Sequence, residues 1–333
     1  MTARLQPRRI GRTALEVPPL GLGCATFGGV APVEVRDAVA LVEHALDAGI
    51  GYFDTAPQYG YGKSEHILGH VLRERGGPVV STKAGRLLQP LTGPRPADDI
   101  WYRPLPFAPV YDYSADGIRR SHEDSLQRLG LAAIDILFLH DPDVFIRETG
   151  REVSELRPTI AAAYRAMEAL RDSGTVKAIG LGVNDIDAVF EALEVGTWDV
   201  FMLAGRFTLL EQGPLHTLLP ALERHGASLV IAAPFNSGIL AGRETWNYRR
   251  APADVRFRVD RIARICAAHG VPLPAAALQF PLAHPVVAAT VPGPRAAAEL
   301  DEIIAWWNLP IPAALWGELK AERLIDELAP VPG

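Results

Sequence analysis

Four side chains in the 333-residue sequence, Asp54, Tyr59, Lys83 and His140, fall at the end of a short apolar run or just beyond one. Lysine is scarce in this arginine-rich chain, which places it at positions 63, 83, 177 and 320 only. An ammonium closing the run VVST is costly to bury unless a carboxylate compensates it, and Asp54 is the candidate partner. A phenol does not lose its proton at neutral pH, but a neighbouring ammonium favours the phenolate and lowers its pKa, which makes Tyr59 a candidate general acid or base. His140 would hydrogen-bond the same substrate oxygen while Asp54 holds Lys83 charged and in place. Such a set suits proton transfer to or from an oxygen on carbon. On pattern alone, a structural ion pair beneath a loop and a histidine satisfied at a strand end stay open as readings of the same residues.

The elements that must position these residues alternate along the chain: an apolar run, a glycine or polar turn, then a longer amphipathic segment. That rhythm predicts parallel strands with crossover helices. The expected strands are 18–23, 51–54, 78–83, 134–140, 178–183, 200–204, 228–233 and 286–292. Apolar residues at 3.6-residue spacing predict helices over 33–47, 64–75, 115–128, 158–173, 186–194, 215–225, 253–269 and 295–307. Eight of each close a (β/α)8 barrel, with active-site residues at the C-terminal strand ends. Residues 5–20, turning at Gly11 and Arg12, predict a hairpin that plugs the N-terminal mouth, and 312–328 predicts an extra C-terminal helix. The excursion 84–113 is too long for a plain connection and reads as a binding loop. With no linker or low-complexity tract, residues 1–333 are expected to form a single domain.

The composition is 48% hydrophobic and 22% charged, with 39 acidic against 33 basic residues and a net charge of −6. Without a dense Lys/Arg run, neither nucleic acid nor an anionic membrane surface is an expected partner. Cys24 and Cys266 are far apart and unaccompanied, which fits a reduced, cytoplasmic location. No apolar stretch follows the basic start MTARLQPRRIG, so no signal peptide or anchor is expected. The segment 272–294 is the most apolar, but Gln279, His284 and its prolines mark it as core rather than a span. His66 and His70 are spaced i,i+4 without an evident third ligand, and no metal is expected.

The run FDTAPQYGYGKSEHILG (residues 53–69), Lys83 after VVST and His140 after DILFL resemble the aldo-keto reductase superfamily. The resemblance extends to GLGCATFGG (21–29), ALRDSGTVKAIGLGVN (169–184) and PGPR (292–295). It implies a TIM barrel that binds a nicotinamide dinucleotide without a Rossmann domain, and a catalytic tetrad of Asp54, Tyr59, Lys83 and His140. LHDPD (139–143), MLAGRFTLL (202–210), FNSGIL (235–240) and LPAAALQFPLAHP (273–285) resemble the branch of dehydrogenases that oxidise L-fucose, L-galactose and D-threo-aldoses to lactones, with pyridoxal 4-dehydrogenase nearby. An NADPH-dependent aldehyde or ketone reductase, and a cofactor-sensing barrel resembling potassium-channel β subunits, are the other readings.

The resemblance further implies cofactor contacts at Gly23, Thr26, Asp54, Asn184, Phe235, Ser237, Gly238, Leu240, Pro292, Gly293, Arg295 and Glu299. Asn184 matches the residue that binds the nicotinamide carboxamide, and Phe207 or Phe235 is expected to replace a stacking aromatic absent at Ala232. Glu299 stands where NADPH-selective relatives carry a basic residue. A carboxylate there accepts from ribose hydroxyls and repels a 2′-phosphate, so NAD is the expected preference, with Arg295 able to admit NADP. Expected pocket walls are Phe27, Tyr59, Trp101, Tyr111, Phe145, Arg206, Phe235, Asn236 and Trp246, for a small-molecule substrate. The chain is expected to be a monomer or a weak homo-oligomer.

Overall fold

A computed structural model describes residues 6–96 and 99–333. The start of the expected hairpin at Leu5, the first residues of the N-terminal run and positions 97–98 of the excursion lie outside the described residues. The chain opens with β1 (Arg8–Arg9) and β2 (Glu16–Val17), an antiparallel pair turning through Gly11. Then follow β3 (Leu22–Gly23), α1 (Val35–Asp47), β4 (Tyr52–Asp54), α2 (Lys63–Arg75), β5 (Val79–Ala84), β6 (Arg86–Pro90), β7 (Phe107–Tyr111) and α3 (Ala115–Leu129). The middle contributes β8 (Ile136–His140), α4 (Pro142–Glu148), α5 (Leu156–Asp172), β9 (Ala178–Val183), α6 (Ile186–Leu193), β10 (Val200–Ala204), α7 (Leu218–His225) and β11 (Ser228–Ala232). The chain ends with β12 (Thr245–Trp246), β13 (Arg249–Arg250), α8 (Ala253–Ala268), α9 (Leu273–Gln279), β14 (Val287–Val291), α10 (Ala297–Asn308) and α11 (Ala313–Ala321).

Eight strands run parallel in the order β3-β4-β5-β8-β9-β10-β11-β14. The ring closes between its first and last members: Gly21 N donates to Thr290 O at 2.9 Å, Thr290 N to Pro19 O at 2.8 Å and Gly23 N to Pro292 O at 2.9 Å. The expected strand 18–23 therefore contributes to the barrel, although its regular part is two residues long. Inside the barrel a cluster of Tyr52, Ile136, Phe138, Val200, Met202 and Val230 packs against Ile10, Leu15 and Val17 of the hairpin, which plugs the N-terminal end as expected. The larger cluster fills the space between strands and surrounding helices.

The period-two alternation of a strand decides what reaches the C-terminal mouth. Tyr52 lies inside the barrel, so Asp54 follows it at the rim. Ile136 and Phe138 precede His140 on the same face, and Val79 precedes Ser81 and Lys83. On the opposite half of the ring the same alternation ends β9, β10 and β11 on Gly182, Ala204 and Ala232. One half of the mouth is polar and the other is small.

Several elements differ from expectation for local reasons. The helix expected from 158 begins at Leu156, because a 3-10 turn at Val153–Glu155 carries a capping box between Glu152 and Glu155. The helix expected from 295 begins at Ala297, after the extended Ala296. The excursion 84–113 contains the β6–β7 hairpin. In the apolar segment 272–294, α9 buries Gln279, whose amide nitrogen donates to the carbonyls of Trp306 at 2.6 Å and Leu309 at 2.9 Å. Among the described residues, no single helix is long and apolar enough to cross a membrane.

A π-helical turn at Thr26–Val30 packs backbone to backbone against the loop before α2. A Cβ on Gly28 would lie 2.5 Å from Tyr59 C and 2.6 Å from Gly60 N, and a Cβ on Gly60 would strike Gly28 O. Replacing Gly28 with Ala is expected to destabilise the fold by about 1–3 kcal/mol, as overpacking does. Denaturant unfolding checks it, and an unchanged midpoint would show that the loop carrying Tyr59 is not pinned this way.

Candidate active site

Asp54 and Ser81 are register partners across β4 and β5, and Lys83 follows Ser81 on the same face. Register alone thus brings the ammonium over the carboxylate. Lys83 Nζ donates to Asp54 Oδ2 at 2.7 Å, to Thr55 O at 2.8 Å and to Tyr59 OH at 3.0 Å. Both charged side chains are 3% exposed, so the pair is fully desolvated. Ser81 Oγ donates to the other carboxylate oxygen at 2.7 Å, and Tyr52 OH lies 3.1 Å from that hydroxyl. The ammonium has three acceptors and both oxygens of the Asp54 carboxylate have a donor, which is what makes the burial of the pair tolerable.

Tyr59 is held by the turn between β4 and α2, where Gly62 N donates to Pro57 O at 2.8 Å and Ser64 N to Tyr59 O at 3.2 Å. The Ser64 hydroxyl ties this turn to Cys24 O at 2.8 Å. The His140 ring meets the Tyr59 ring edge-on, with centroids 6.1 Å apart. Tyr113 OH donates to the carbonyl of His140 at 2.5 Å and to that of Asp141 at 3.2 Å, which fixes the backbone at the end of β8.

Protonation follows from burial and these neighbours. Burial works against the charge on Lys83, but Asp54 and Tyr59 outweigh it and raise the lysine above its ordinary value. Burial, with Arg86 and Lys83 nearby, lowers His140 well below the usual histidine range, so it is a neutral ring at pH 7. Burial raises Tyr59 to about 12 in spite of Lys83. That reverses the expectation of a lowered phenol: the ammonium does favour the phenolate, but desolvation is the larger effect. The resting site therefore presents a protonated phenol beside a neutral imidazole.

A cavity of about 230 Å³ opens over Tyr59, Lys83 and His140. Trp101, Ile100, Val30, Gln58, Arg86 and Asp141 stand around it, with Asn184, Met202 and the small residues Gly182, Ala204 and Ala232 opposite. A second cavity of about 590 Å³ lies beyond Asn184 and Tyr248, which border both. Arg206 lines the second one, its Nε donating to Asn184 O at 2.8 Å and its Nη1 to Asn247 Oδ1 at 2.9 Å.

Of the expected walls, Tyr59 and Trp101 line this cavity, and Asn184, expected as a cofactor contact, lines it too, whereas the other expected walls do not. Phe27 is fully buried in the core. Asn236 is buried and spends its side chain on Thr208, Gly205 O and Glu211. Trp246 donates to Glu211 at 2.9 Å, and Tyr111 packs on Phe145 with its hydroxyl on Glu148. Neither ring expected to replace the stacking aromatic faces the cavity: Phe207 is buried against Phe280, and Phe235 packs edge-on against Trp306. The ring that does reach it from the C-terminal half is Tyr248, on the turn between β12 and β13, where Asn247 and Tyr248 both have positive φ. Its signal in the sequence is weak, since neither residue is a glycine. Arg86 and Asp141 were legible only as neighbours of Lys83 and His140.

Of the residues expected to hold a dinucleotide, Gly23, Thr26, Pro292 and Gly293 are brought together at one edge of the mouth. Gly23 pairs with Pro292, a Cβ on Gly293 would meet Gly23 O at 3.1 Å, and Thr26 Oγ1 donates to Pro294 O at 2.8 Å. Ser237 and Gly238 hold left-handed backbone in the turn after β11, where Leu240 is buried in the core rather than lining the rim. Arg243 in that turn reaches Glu299 at 3.5 Å. Glu299 accepts from Arg295 N and Arg295 Nε, both at 2.8 Å, so Arg295 is committed to it and is not the free cation expected. Burial tends to raise this carboxyl, but donation from Arg295 outweighs it and leaves Glu299 below the usual range.

The aldo/keto reductase family profile matches residues 19–322. Pyridoxal 4-dehydrogenase of Microbacterium luteolum is 42% identical, covering 96% of this chain and 98% of its own. D-threo-aldose 1-dehydrogenase of a Pseudomonas species is also 42% identical, covering 93% and 95%. A solved glycerol dehydrogenase from Gluconobacter oxydans shares the fold with a TM-score of 0.74 at 21% identity, covering 100% of this chain and 98% of that one.

Lys83→Met leaves Asp54 buried without its cation and is expected to cost about 3–5 kcal/mol of stability. The double variant Lys83→Met/Asp54→Leu, which removes both charges, should recover most of it. Denaturant unfolding of the two variants checks this, and a single variant as stable as the parent would contradict the buried pair.

Proposed function

The chain belongs to the aldo/keto reductase family, and from that premise we propose an NAD-preferring dehydrogenase that oxidises the hemiacetal carbon of an aldose to a lactone. The observation that carries the reading is the Tyr59 hydroxyl, 3.0 Å from Lys83 Nζ and facing the cavity shared with His140. The family is one of nicotinamide-dependent oxidoreductases, and the residues present suit such a group: the inward ends of β9, β10 and β11 are Gly182, Ala204 and Ala232, which leaves room for a flat ring beside Tyr59, with the Asn184 amide at its edge. When bound, the dinucleotide supplies the two-electron acceptor for the hydrogen on the hemiacetal carbon.

The chain's own residues do the rest. Neutral His140 donates to the reacting oxygen and orients it without adding charge. For oxidation Tyr59, protonated at rest, first gives its proton to solvent; the phenolate then takes the hydroxyl proton as the C–H bond breaks and the carbonyl of the lactone forms, while in reduction the resting phenol gives its proton directly to the oxygen. Lys83 stabilises the phenolate that oxidation needs, and Asp54 keeps Lys83 charged and aimed. At the far rim, Glu299 is anionic and disfavours a 2′-phosphate, which supports the preference for NAD; NADP is the lesser cofactor, because admitting its phosphate requires breaking Arg295 or Arg243 away from Glu299.

The similarity to pyridoxal 4-dehydrogenase favours a second reading, since pyridoxal closes to a cyclic hemiacetal and the apolar walls Trp101, Ile100 and Val30 also suit a flat aromatic ring. A spectrophotometric screen at 340 nm with NAD and NADP against L-fucose, L-galactose, D-arabinose, L-xylose and pyridoxal separates the two. Reduction of NAD by an aldose is expected, at least about tenfold better in kcat/KM than with NADP. Signal with pyridoxal alone selects the second reading, signal with none refutes both, and a tenfold preference for NADP overturns the cofactor assignment. Tyr59→Phe is expected to lower kcat by at least about 100-fold while cofactor binding, followed by fluorescence quenching, persists; unchanged kcat would remove Tyr59 from the chemistry.

A further inference from the structure

Resting on the aldose reading above, we infer that the Arg86–Asp141 ion pair sets substrate specificity by binding the hydroxyl on the carbon next to the one that reacts. Arg86 Nη2 donates to Asp141 Oδ2 at 2.8 Å, and both residues line the reaction cavity. The Arg86 side chain is 8% exposed and that of Asp141 17%, so the pair is desolvated yet open on one side to that space. Arg86 Nε is buried without a partner among the described residues.

Position decides what the pair meets. Asp141 Oδ2 lies 3.4 Å from His140 Nε2 without forming a hydrogen bond to it, so the two groups address the same volume from adjacent points. An oxygen held by His140 and Tyr59 has, in a 1,2-diol, its neighbouring oxygen about one hydrogen-bond length away. That second oxygen falls within reach of the Asp141 carboxylate, which accepts its proton, and of the guanidinium, which donates to it.

The local backbone is built to hold this arrangement. Asp141 has left-handed dihedrals, φ 45° and ψ 55°, at the start of α4, a conformation that aspartate adopts more readily than most residues with a side chain. Tyr113 clamps the carbonyls on either side of the Asp141 Cα, and the β6–β7 hairpin delivers Arg86 one residue past Gly85. A desolvated ion pair facing a cavity discriminates strongly, because a substrate lacking the hydroxyl leaves its polar atoms without the partner they gave up water for. An aldose has a hydroxyl at that carbon. In pyridoxal the corresponding atom is an aromatic ring carbon, so the pair also favours the sugar over the pyridine.

The test is a ratio of kcat/KM for matched substrates with and without the adjacent hydroxyl, measured in both directions. The pairs are an aldose against its 2-deoxy analogue with NAD, and glyceraldehyde against 3-hydroxypropanal with NADH. The wild-type protein is expected to favour the hydroxyl-bearing member by about tenfold or more, and Asp141→Asn to bring the ratio close to one. A merely structural role would lower both members together and leave the ratio unchanged, which would overturn the inference, as would a wild-type ratio near one. If Asp141→Asn does not fold, as judged by thermal melting, Arg86→Gln/Asp141→Asn removes both charges at once and is read in the same way. A protein that oxidises no aldose yet shows the glyceraldehyde preference and its collapse refutes the aldose reading while leaving the role of the pair standing. One that oxidises aldoses with an unaltered ratio refutes the pair alone.

Discussion

The structure around the mouth of the barrel depends on burying one ammonium group. Lys83 is 3% exposed, and in a medium of low polarity its charge persists only because Asp54, Thr55 O and Tyr59 OH take its three protons at hydrogen-bond distance. Each of those partners has its own reason to be there. Asp54 is aligned by the pairing of β4 with Ser81, Thr55 continues the same strand, and Tyr59 is pressed into place by the contact between Gly28 and Gly60. A shift of one residue in register between β4 and β5 would turn Lys83 outward, and with it the whole site.

The alternation that points Lys83 inward also divides the mouth in two. Strands β4, β5 and β8 end inward on Asp54, Lys83 and His140, whereas β9, β10 and β11 end on Gly182, Ala204 and Ala232. Proton-handling groups thus face cleared space, which is what hydride chemistry asks of a protein: room for a flat ring on one side and a proton relay on the other. Arg86 and Asp141 extend the polar half outward, so the boundary between polar and open halves runs through the volume where a substrate's carbon atoms would lie.

Much of this was legible in the sequence because a strand's period is two and its apolar residues are unambiguous. The runs that end on Asp54, Lys83 and His140 located the site, and the hairpin through Gly11 was plain from its turn. What escaped reading depends on direction or magnitude. Phe207 follows β10 as an aromatic in a loop should, but whether it faces the cavity or Phe280 is decided by packing that no spacing encodes. The i,i+4 spacing of Arg295 and Glu299 was visible, yet their commitment to each other competes with binding roles that the same residues could serve separately. The phenol of Tyr59 shows the limit most clearly: the neighbour that lowers its pKa can be named from sequence, while the burial that raises it more is a property of the folded mouth.

The central claim is that Tyr59 rests as a protonated phenol, with Lys83 limiting how far burial can raise it. An NMR titration of the protein carrying 13C-labelled tyrosine, with Tyr59 assigned by its loss in Tyr59→Phe, reads that state directly. The account predicts a Tyr59 signal that stays protonated through about pH 10 and titrates near 12, moving higher still in Lys83→Met. A Tyr59 that ionises below about pH 9, or that is indifferent to the loss of Lys83, would contradict it.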